Sequence, residues 1–452
     1  MQQKFKNPSG FPENLPAEQI VEESLKKSMR FVCESFGYTP LETSAVEYLD
    51  VLSSKGEINK EVYTISRALA EEEGEIDRGL RFDLTVPLAR YVSQHYSEIA
   101  FPFRRYQIQR VWRGERPQKG RFREFYQADI DVIAEESLPI IFDVEILEVT
   151  KKILDKFPLG NFTIQINNIK FLNGLLESEG VADVDAALRL IDKLEKIGAI
   201  KVAELLEEDL GLSSSVVGSL LEKIEKKFNL PEAKNYLQSI KPNNPTLRDG
   251  ISELLEVFSL LEKTCKDGDS VYVFNPAIAR GLDYYTGTVF ETVVSGFEKY
   301  GSICSGGRYA DLTTKFSDRK LPGMGMSLGL TRLLSLLKNE GLTSFNKSTS
   351  SDVTLALLHS DQLDKTKESA QFLRDSGINT EILYGEIKGG LRKQIKIAQK
   401  RGVSNLVICE SNNTFTLISL ESNGSKNNFD SLESLKEYLL ETRKKVPVSG
   451  LL

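Results

Sequence analysis

The sequence predicts an α+β domain with an antiparallel sheet, interrupted by a helical insertion and followed by a smaller α/β domain. Aromatic and β-branched residues fill residues 100–113 and 121–134, which flank the loop GERPQKG, a pattern typical of an antiparallel hairpin. Leu, Glu and Lys dominate 171–265, where apolar residues recur at spacings of three and four, which indicates short helices. Beyond residue 352, short apolar runs alternate with helical patterns, as in α/β domains.

The first predicted element is an amphipathic helix over residues 17 to 36. Its apolar residues at helical spacing are Ile20, Val21, Leu25, Met29 and Val32. Gly37 is a helix stop, and Tyr38-Thr39-Pro40 predicts a turn into an extended segment. The hairpin follows this segment.

Extended patterning resumes after the helical stretch. The segment VYVFNPAIARGLDYYTGTVFETVV predicts a pair of strands, and GMGMSLGLTRLLSLL predicts a strand that enters a helix. Its glycines permit close backbone approach. The polar segment NEGLTSFNKSTSS predicts a linker. After it come predicted strands at 353–358, 379–383 and 405–409, separated by helices of which the second is basic, and this alternation indicates a mainly parallel or mixed sheet.

These patterns predict six segments along the chain. The first part of the sheet domain is 1–170, the helical insertion is 171–266, the second part of the sheet domain is 267–338, the linker is 339–351, the α/β domain is 352–444, and the tail is 445–452.

Composition excludes several classes of protein. A chain of 452 residues with 40% hydrophobic and 27% charged residues is typical of a globular protein with two to four domains. No apolar run approaches the ~18 residues that span a bilayer, and the N-terminus lacks the apolar stretch of a signal peptide. The four cysteines lie far apart, so we expect neither a disulfide framework nor a metal site. These features predict a cytoplasmic protein.

The basic residues are clustered although the net charge is −7. Residues 104–124 contain eight Lys or Arg and two Glu, a balance of +6 (8 − 2), and 388–401 contain six Lys or Arg and no acid. Binding of a polyanion depends on such local patches rather than on total charge. Either run could also be a solvated surface, so nucleic-acid binding stays one of two interpretations at this point.

Arginine is the residue type that predicts chemistry here. The two histidines, His95 and His359, have no neighbouring Ser or Cys partner suited to nucleophilic catalysis, and no P-loop is present. Arginines instead recur beside glycines and aromatic residues in predicted strands. One guanidinium group can bind two phosphate oxygens at once, and it stays charged at any working pH. Phosphoryl and adenylyl transfer can both be catalysed at such a site largely by positioning and charge neutralisation, with no covalent intermediate on the protein.

Three segments resemble the motifs of class II aminoacyl-tRNA synthetases. The segment FRRYQIQRVWRGERPQKGRFREFYQADIDV resembles motif 2, GMGMSLGLTRLL resembles motif 3, and the turn at Pro40 resembles motif 1. Two further segments, RGLDYYTGTVFE and SICSGGRYADL, are similar to the two peptides of histidyl-tRNA synthetases. RFDLTVPLARYV and NPSGFPENLP also resemble segments of that family, so the resemblance extends from about residue 7 to 443.

The resemblance implies a class II synthetase fold with a C-terminal anticodon-binding domain, and it assigns ATP contacts residue by residue. Arg113 and Arg280 would be catalytic and flank the α-phosphate. Arg121 and Arg332 would hold the outer phosphates, Glu115 the adenine amino group, and Phe125 would stack on the ring. Arg121 could instead form a surface ion pair. ATP, with Mg²⁺ bound to it, would be the cofactor, and no metal site made by the protein itself is implied.

The resemblance also implies the other contacts. Asp83, Thr85 and Gln127 match residues that hold the amino and carboxylate groups of histidine, and Asp131, Tyr285 and Tyr309 match residues that recognise its side chain. The implied tRNA contacts are Arg116, Gln118, Lys119, Lys393 and Lys396. Motif 1 implies a homodimer, so the expected partners are tRNA(His), L-histidine and a second copy of the chain, with no membrane.

Several positions depart from the family pattern. Ser305 stands where glycine is usual, Ala310 and Thr331 stand where an acid is usual, and position 131 is Asp where many relatives have Glu. None of these departures removes a charge assigned to catalysis. They leave the fine geometry of the histidine pocket open.

Two alternatives are weighed against this interpretation. One is the catalytically silent paralogue that regulates ATP phosphoribosyltransferase, but such paralogues generally lack the C-terminal domain and the motif 2 arginines, which this sequence has. The other is a class II synthetase for another small amino acid, such as proline or threonine, and the two histidine-type peptides oppose it.

Overall fold

The computed structural model describes residues 6–53, 61–67, 77–118, 120–264, 271–279, 285–310, 312–384, 390–410, 414–421 and 424–445. The chain divides into two compact units. The first combines Met1–Pro12 with Ser28–Leu336, and the second combines Glu13–Lys27 with Leu337–Leu452. The predicted site residues Arg280 and Lys119 lie outside the described ranges.

A large sheet is the centre of the first unit. Its strands and those of a small hairpin are β1 (Thr39–Pro40), β2 (Val46–Tyr48), β3 (Arg78–Leu80), β4 (Phe103–Trp112), β5 (Glu124–Ile133), β6 (Phe162–Asn168), β7 (Phe228–Asn229), β8 (Tyr272–Phe274), β9 (Tyr285–Val294), β10 (Cys304–Tyr309) and β11 (Gly323–Gly329). Among the described residues the order is β1-β4-β5-β11-β10-β9-β6-β8-β7, while β2 pairs with β3. The sheet is antiparallel except that β1 runs parallel to β4 and β6 to β8.

Twelve α-helices precede the second sheet in the described part of the chain. They are α1 (Pro16–Ser35, which continues into the second unit), α2 (Leu49–Leu52), α3 (Thr85–Gln94), α4 (Ile141–Leu154), α5 (Ile169–Ser178), α6 (Val184–Ile191), α7 (Leu194–Ile197), α8 (Ala199–Leu210), α9 (Ser214–Ile224), α10 (Leu230–Ser239), α11 (Pro245–Thr264) and α12 (Leu330–Asn339). Four of them, α4, α5, α10 and α11, pack against strands of the large sheet. No helix within the described ranges has the length and apolar character needed to cross a membrane.

The β4–β5 hairpin confirms the predicted strand pattern. Arg105 pairs with Asp131 and Gln109 with Gln127 across the two strands. Because side chains alternate between the faces of a strand, these residues share one face with Gln107 and Asp129, whereas Ile130 and its apolar neighbours face the core. The hairpin therefore presents a polar surface from the middle of the sheet.

The segment from α5 to α11 is helical, as its apolar spacing predicts, with one exception. Phe228–Asn229 forms β7 and pairs with β8 at the end of the large sheet. Helices α5 and α11 pack so closely that a Cβ at Gly174 would lie 2.2 Å from the backbone nitrogen of Leu247 and would clash. This segment belongs to the same compact unit as the sheet, and its status as a separate domain stays a prediction.

The second unit contains a five-stranded mixed sheet. Its elements are β12 (Val353–Ala356), α13 (Leu363–Asp375), β13 (Thr380–Leu383), α14 (Gly390–Lys400), β14 (Asn405–Cys409), β15 (Phe415–Ser419), β16 (Lys426–Phe429) and α15 (Leu432–Lys445). The order is β13-β12-β14-β15-β16. Strand β12 runs parallel to β13 and β14, whereas β14, β15 and β16 are antiparallel. The predicted mixed sheet is thus present, with two strands and a final helix that the sequence patterns did not predict.

Candidate active site

A cleft of about 300 Å³ opens on the polar face of the large sheet, beside the end of the β4–β5 hairpin. It is lined by Arg113, Glu115, Gly120, Arg121, Phe122, Phe125, Gln127, Ser302, Ile303, Cys304, Ser305, Ser327, Gly329 and Arg332. Its size suits a small ligand. The described residues that the sequence assigns to ATP binding all line it, together with Gln127, so one cavity brings together residues more than 200 positions apart.

Arg113 is held at the wall of this cleft. Its Nε donates a hydrogen bond of 3.0 Å to the carbonyl oxygen of Phe82, and its guanidinium lies over the ring of Phe125, with 5.3 Å from Cζ to the centroid. The stack fixes the plane of the guanidinium. The Nη atoms are therefore available to an anion in the cleft.

Glu115 is the acidic residue among those described in the lining. Its carboxylate lies 3.3 Å from Nη1 of Arg121 and 4.0 Å from Nη1 of Arg113. The Arg121 side chain is half exposed, so this ion pair contributes little to stability. Glu115 therefore balances part of the positive charge of these two arginines.

Arg332 is fixed by backbone carbonyls at the opposite side of the cleft. Its Nε donates to the oxygen of Gly120 at 3.1 Å and its Nη1 to the oxygen of Ser302 at 2.7 Å. Gly120 has a φ of 73°, a conformation that favours glycine. Arg332 thus ties helix α12 to the motif 2 loop and to the start of β10.

A buried cluster lies on the same face of the sheet, further along β5. Tyr309 donates a hydrogen bond of 2.9 Å to Oδ1 of Asp131, and Nη2 of Arg105 lies 2.6 Å from Oδ2. All three residues are buried. Two glycines of β11 make room for them, because a Cβ at Gly323 would lie 2.3 Å from the Tyr309 ring and one at Gly325 would lie 2.1 Å from Oδ1 of Asp131.

Asp129 and Ser327 connect this cluster to the cleft. Gln127 donates from Nε2 to Oγ of Ser327 at 2.7 Å, and Ser327 lies directly opposite Asp129 in the pairing of β5 with β11, on the same face of the sheet. Burial raises the pKa of Asp129 to about 7, an effect that the neighbouring Arg105 partly offsets and that Asp131 increases. Asp129 is therefore a buried acid that changes charge near neutral pH.

The remaining candidates for histidine binding lie near this cluster. Asp83 accepts a hydrogen bond of 2.9 Å from the backbone nitrogen of Val86, and Thr85 is the first residue of α3. Tyr285 begins β9 and pairs in register with Tyr309 of β10. Tyr285 also packs beside the apolar group that contains Leu88 and Ile133. The structure thus brings the two tyrosines together, behind the cleft rather than among its lining.

Comparison with known proteins identifies the family. The model of the family described as histidyl-tRNA synthetase matches residues 10–333. A histidine–tRNA ligase of Thermobifida fusca is 43% identical over 397 residues, which cover 87% of this chain and 90% of the relative. One of Xanthomonas campestris is 42% identical over 427 residues, covering 90% and 89%.

The chain belongs to the histidyl-tRNA synthetase family.

Solved structures agree with this membership. The crystal structure of a histidyl-tRNA synthetase from Nostoc superposes with a TM-score of 0.89 at 35% identity, covering 98% of this chain and 100% of that one. A Bacillus halodurans protein described as an ATP phosphoribosyltransferase regulatory subunit/histidyl-tRNA synthetase superposes with a TM-score of 0.72 at 20% identity, covering 90% and 99%. The second match shows a shared fold only, whereas the relatives above 40% identity support the ligase branch.

Four of the five predicted tRNA-contacting residues lie in the described part of the chain, and all four are on its surface. Arg116 and Gln118 are exposed in the motif 2 loop. The loop closes through paired backbone hydrogen bonds between Gln118 and Arg121, of 3.2 and 2.8 Å. In the second unit, Lys393 and Lys396 are exposed on α14, whose opposite side buries Gln394 and Ala398.

Sequence patterns do not single out three residues of this site, namely Arg105, Asp129 and Ser327. Arg105 belongs to a basic cluster that could be a solvated surface, yet it is fully buried against Asp131. The alternation of Gln127, Asp129 and Asp131 along β5 is the signal that could have identified Asp129, since residues two apart on a strand share a face.

No group of three or more potential metal ligands occurs among the residues that the structure describes.

Proposed function

We propose that this chain activates L-histidine with ATP and transfers the histidyl group to tRNA(His), releasing AMP and pyrophosphate. One observation carries the proposal. Arg113, Arg121 and Arg332 line a single cleft of the size of a small ligand, and a buried Asp–Tyr pair lies further along β5, outside the lining of that cleft. Guanidinium groups around a cavity suit a polyphosphate, and a buried carboxylate with a phenol suits an imidazole.

ATP would bind in the arginine-lined cleft. Phe125 would stack on the adenine and Glu115 would accept a hydrogen bond from its amino group, while Arg121 and Arg332 would bind the outer phosphates. Arg113 would bind the α-phosphate from one side and Arg280 from the other. These positively charged groups would neutralise the charge that develops on the α-phosphate as the histidine carboxylate attacks, without any covalent intermediate on the protein.

Mg²⁺ would accompany the nucleotide. The described lining of the cleft offers one carboxylate, that of Glu115. A lining with so few acidic groups fits an ion that is held mainly by phosphate oxygens and water, as Mg²⁺ usually is in nucleotide sites. When bound, the ion would supply further neutralisation of the outer phosphates. The arginines would still fix the orientation of the nucleotide.

Histidine would lie next to the α-phosphate, along β5. Asp83, Thr85 and Gln127 would hold its amino and carboxylate groups. Asp131, Tyr285 and Tyr309 would hydrogen-bond its ring. Support comes from the Tyr309–Asp131 bond and from Arg105, which balances the charge of Asp131. A ligand without ring nitrogens would leave these buried polar groups unpaired, which disfavours apolar amino acids.

The tRNA would use both units of the chain. Arg116, Gln118 and Lys119 of the motif 2 loop would contact the acceptor end, and Lys393 and Lys396 would contact the anticodon arm. We propose the same segments as the sequence predicts, with 171–266 as the inserted domain and 352–444 as the anticodon-binding domain. A homodimer formed through the motif 1 region and a cytoplasmic location complete the proposal, since this reaction takes place where tRNA is used in protein synthesis.

Aminoacylation tests the whole proposal. The purified protein should attach radiolabelled histidine to a tRNA(His) transcript in the presence of ATP and Mg²⁺, and it should not attach proline or threonine to their tRNAs. Charging by the Arg280→Ala variant should fall by several orders of magnitude, because a group that stabilises transition-state charge contributes about 3 kcal/mol or more. Wild-type charging by that variant would refute the role of Arg280, and absence of charging by the parent protein would refute the function.

A further inference from the structure

A row of three polar side chains runs from the buried end of the site to the cleft. It comprises Asp129 and Gln127 on β5 and Ser327 on β11, and a hydrogen bond of 2.7 Å joins Gln127 to Ser327. Asp129 and Gln127 lie two residues apart and so share a face of the strand. Ser327 pairs directly with Asp129 in the β5–β11 register. Gln127 and Ser327 line the cleft, whereas Asp129 does not.

The number of protons on each group decides which side chains in this row can donate and which can accept. A serine hydroxyl has one proton and an ionised carboxylate only accepts. Because Ser327 stands opposite Asp129 on the same face of the sheet, an ionised Asp129 attracts the proton of the Ser327 hydroxyl. Its oxygen then accepts the hydrogen bond from Nε2 of Gln127, which measures 2.7 Å. The amide nitrogen is thus committed to Ser327, and the amide oxygen is left for another partner.

In this arrangement the Gln127 amide presents its oxygen, rather than its nitrogen, to a ligand. Oε1 is buried and accepts no hydrogen bond from any residue in the part of the chain that the structure describes. A buried acceptor without a partner is costly, and a ligand that carries an N–H donor would relieve that cost. The ammonium group of an amino acid is such a donor.

We propose that Asp129 is a positioning residue that acts through Ser327 to keep the Gln127 amide oxygen directed at the amino group of the bound amino acid. The inference rests on the proposed function, since it assumes that histidine binds beside Gln127. A protonated Asp129 no longer requires the proton of Ser327, and it can itself donate to Oγ. The Ser327 proton is then free to bond the amide oxygen, and the amide can turn its NH₂ group towards the ligand. Affinity for an ammonium group falls as a result.

The charged groups around Asp129 are compatible with this role. On β4, Gln107 pairs directly with Asp129, and Arg105 pairs with Asp131, which lies two residues along β5. Asp83 precedes α3 and contributes a further negative charge, whereas Arg81 contributes a positive one. Burial raises the pKa of the Cys304 thiol on β10 above its ordinary value, so Cys304 stays neutral. The second carboxylate and the burial together outweigh Arg105 and hold the pKa of Asp129 at about 7.

The pH dependence of the KM for histidine tests the inference. It is measured by ATP–pyrophosphate exchange from about pH 6 to about pH 8 in the wild type and in Asp129→Asn. Titration of the ligand affects both proteins equally, so the ratio of their KM values isolates Asp129. We expect the wild-type KM to rise about tenfold relative to the variant as the pH falls over this range, because a group with a pKa near 7 goes from mostly ionised to mostly protonated there. The KM for ATP should not show this change.

Two further variants distinguish an effect transmitted through Ser327 from a general effect of the charge on Asp129. Ser327→Ala removes the link while Asp129 stays in place, so it should raise the KM for histidine severalfold and abolish the wild-type pH dependence. Ser305→Ala is the matched control, because Ser305 pairs with Ser327 across β10 and β11 and lines the same cleft. Whatever it does to the level of the KM, it should keep the wild-type pH profile. Thermal unfolding verifies that each variant is folded.

The outcomes are distinct. Parallel pH profiles in the wild type and Asp129→Asn, or a wild-type profile in Ser327→Ala, would overturn the inference while histidine-dependent exchange still supports the proposed function. A wild-type protein without histidine-dependent exchange would overturn the proposed function and this inference together.

Discussion

The guanidinium of Arg113 lies over the ring of Phe125, with 5.3 Å between Cζ and the ring centroid. One side chain is expected to bind the α-phosphate and the other to stack on adenine. The two side chains contact each other directly. Under the proposed function the ring would orient the arginine and also supply a surface for the base.

Replacement of Phe125 tests this double role. Phe125→Ala should raise the KM for ATP by about tenfold or more, since a base–aromatic stack contributes about 1–3 kcal/mol. It should also lower kcat, because Arg113 loses the surface that orients it. Phe125→Tyr keeps a ring and is the control, for which we expect values near wild type. Pyrophosphate exchange at varied ATP measures both constants. An unchanged KM for ATP in Phe125→Ala would exclude stacking of the base on this ring.

Recognition of the imidazole predicts a separation of the two substrates. Tyr285→Phe and Tyr309→Phe remove only hydroxyl groups, so they should raise the KM for histidine far more than the KM for ATP. Steady-state pyrophosphate exchange gives both values. Equal losses for the two substrates would show that the tyrosines support the sheet rather than the ligand.

Asp131 should combine this effect with a loss of stability. Asp131→Ala leaves Arg105 charged and fully buried without its partner. Breaking such a pair costs about 3–5 kcal/mol, and urea unfolding should show it. Arg104→Ala is the comparison, since its ion pair with Glu145 is partly exposed and should contribute much less. Equal stability losses in the two variants would contradict the buried charge pair.

The raised pKa of Asp129 predicts how stability depends on pH. An acid whose pKa is about 7 in the folded protein binds its proton more tightly there than in the unfolded chain. Its contribution to stability is present at low pH and is lost as the pH rises from about 4 to about 7. Asp129→Asn removes this dependence, so the variant should gain stability relative to the wild type over that range, by up to about 4 kcal/mol. Parallel curves of unfolding free energy against pH would contradict it.

The two kinds of tRNA contact predict different effects when their residues are replaced. Gln118 is exposed at the tip of the motif 2 loop, where its amide can bond a base edge. Gln118→Ala should spare histidine activation but weaken discrimination between tRNAs with and without an extra 5′ guanine. Lys393→Ala combined with Lys396→Ala should weaken binding of all tRNAs and reduce the salt dependence by about one unit of slope for each lysine–phosphate interaction that is removed. Filter binding at several salt concentrations measures this. Loss of discrimination in the lysine variant, together with a uniform loss of binding in Gln118→Ala, would show that the tRNA contacts of the two regions are wrongly assigned.

Local patterns predict the elements with strong periodicity. The β4–β5 hairpin is predictable because two β-rich runs flank a loop with Gly and Pro, and α1 because its apolar residues recur every turn. Strand β7 is not, because two residues in a helical region carry no periodic signal and are ordered by pairing with β8. Strands β15 and β16 depend likewise on tertiary pairing.

The candidate site divides in the same way. Motif 2 assigns Arg113, Glu115 and Phe125, and the structure places them in one cleft. Arg105 is not assigned, because a buried arginine cannot be distinguished by sequence from an exposed one in the same basic run. Only the fold brings Arg105 to Asp131 and leaves space for that carboxylate at Gly325. For Arg121, the alternative of a surface ion pair is present in the structure, with Glu115 as its partner.

Amino-acid-dependent exchange of pyrophosphate into ATP tests the central claim most directly, because it reports adenylate formation without tRNA. We expect the wild-type protein to catalyse exchange with histidine and not with proline or threonine. Arg113→Ala should reduce it by several orders of magnitude, and Arg113→Lys should restore little, since lysine cannot form the paired contact of a guanidinium group. Exchange with another amino acid, or none with histidine from a folded protein, would contradict the account.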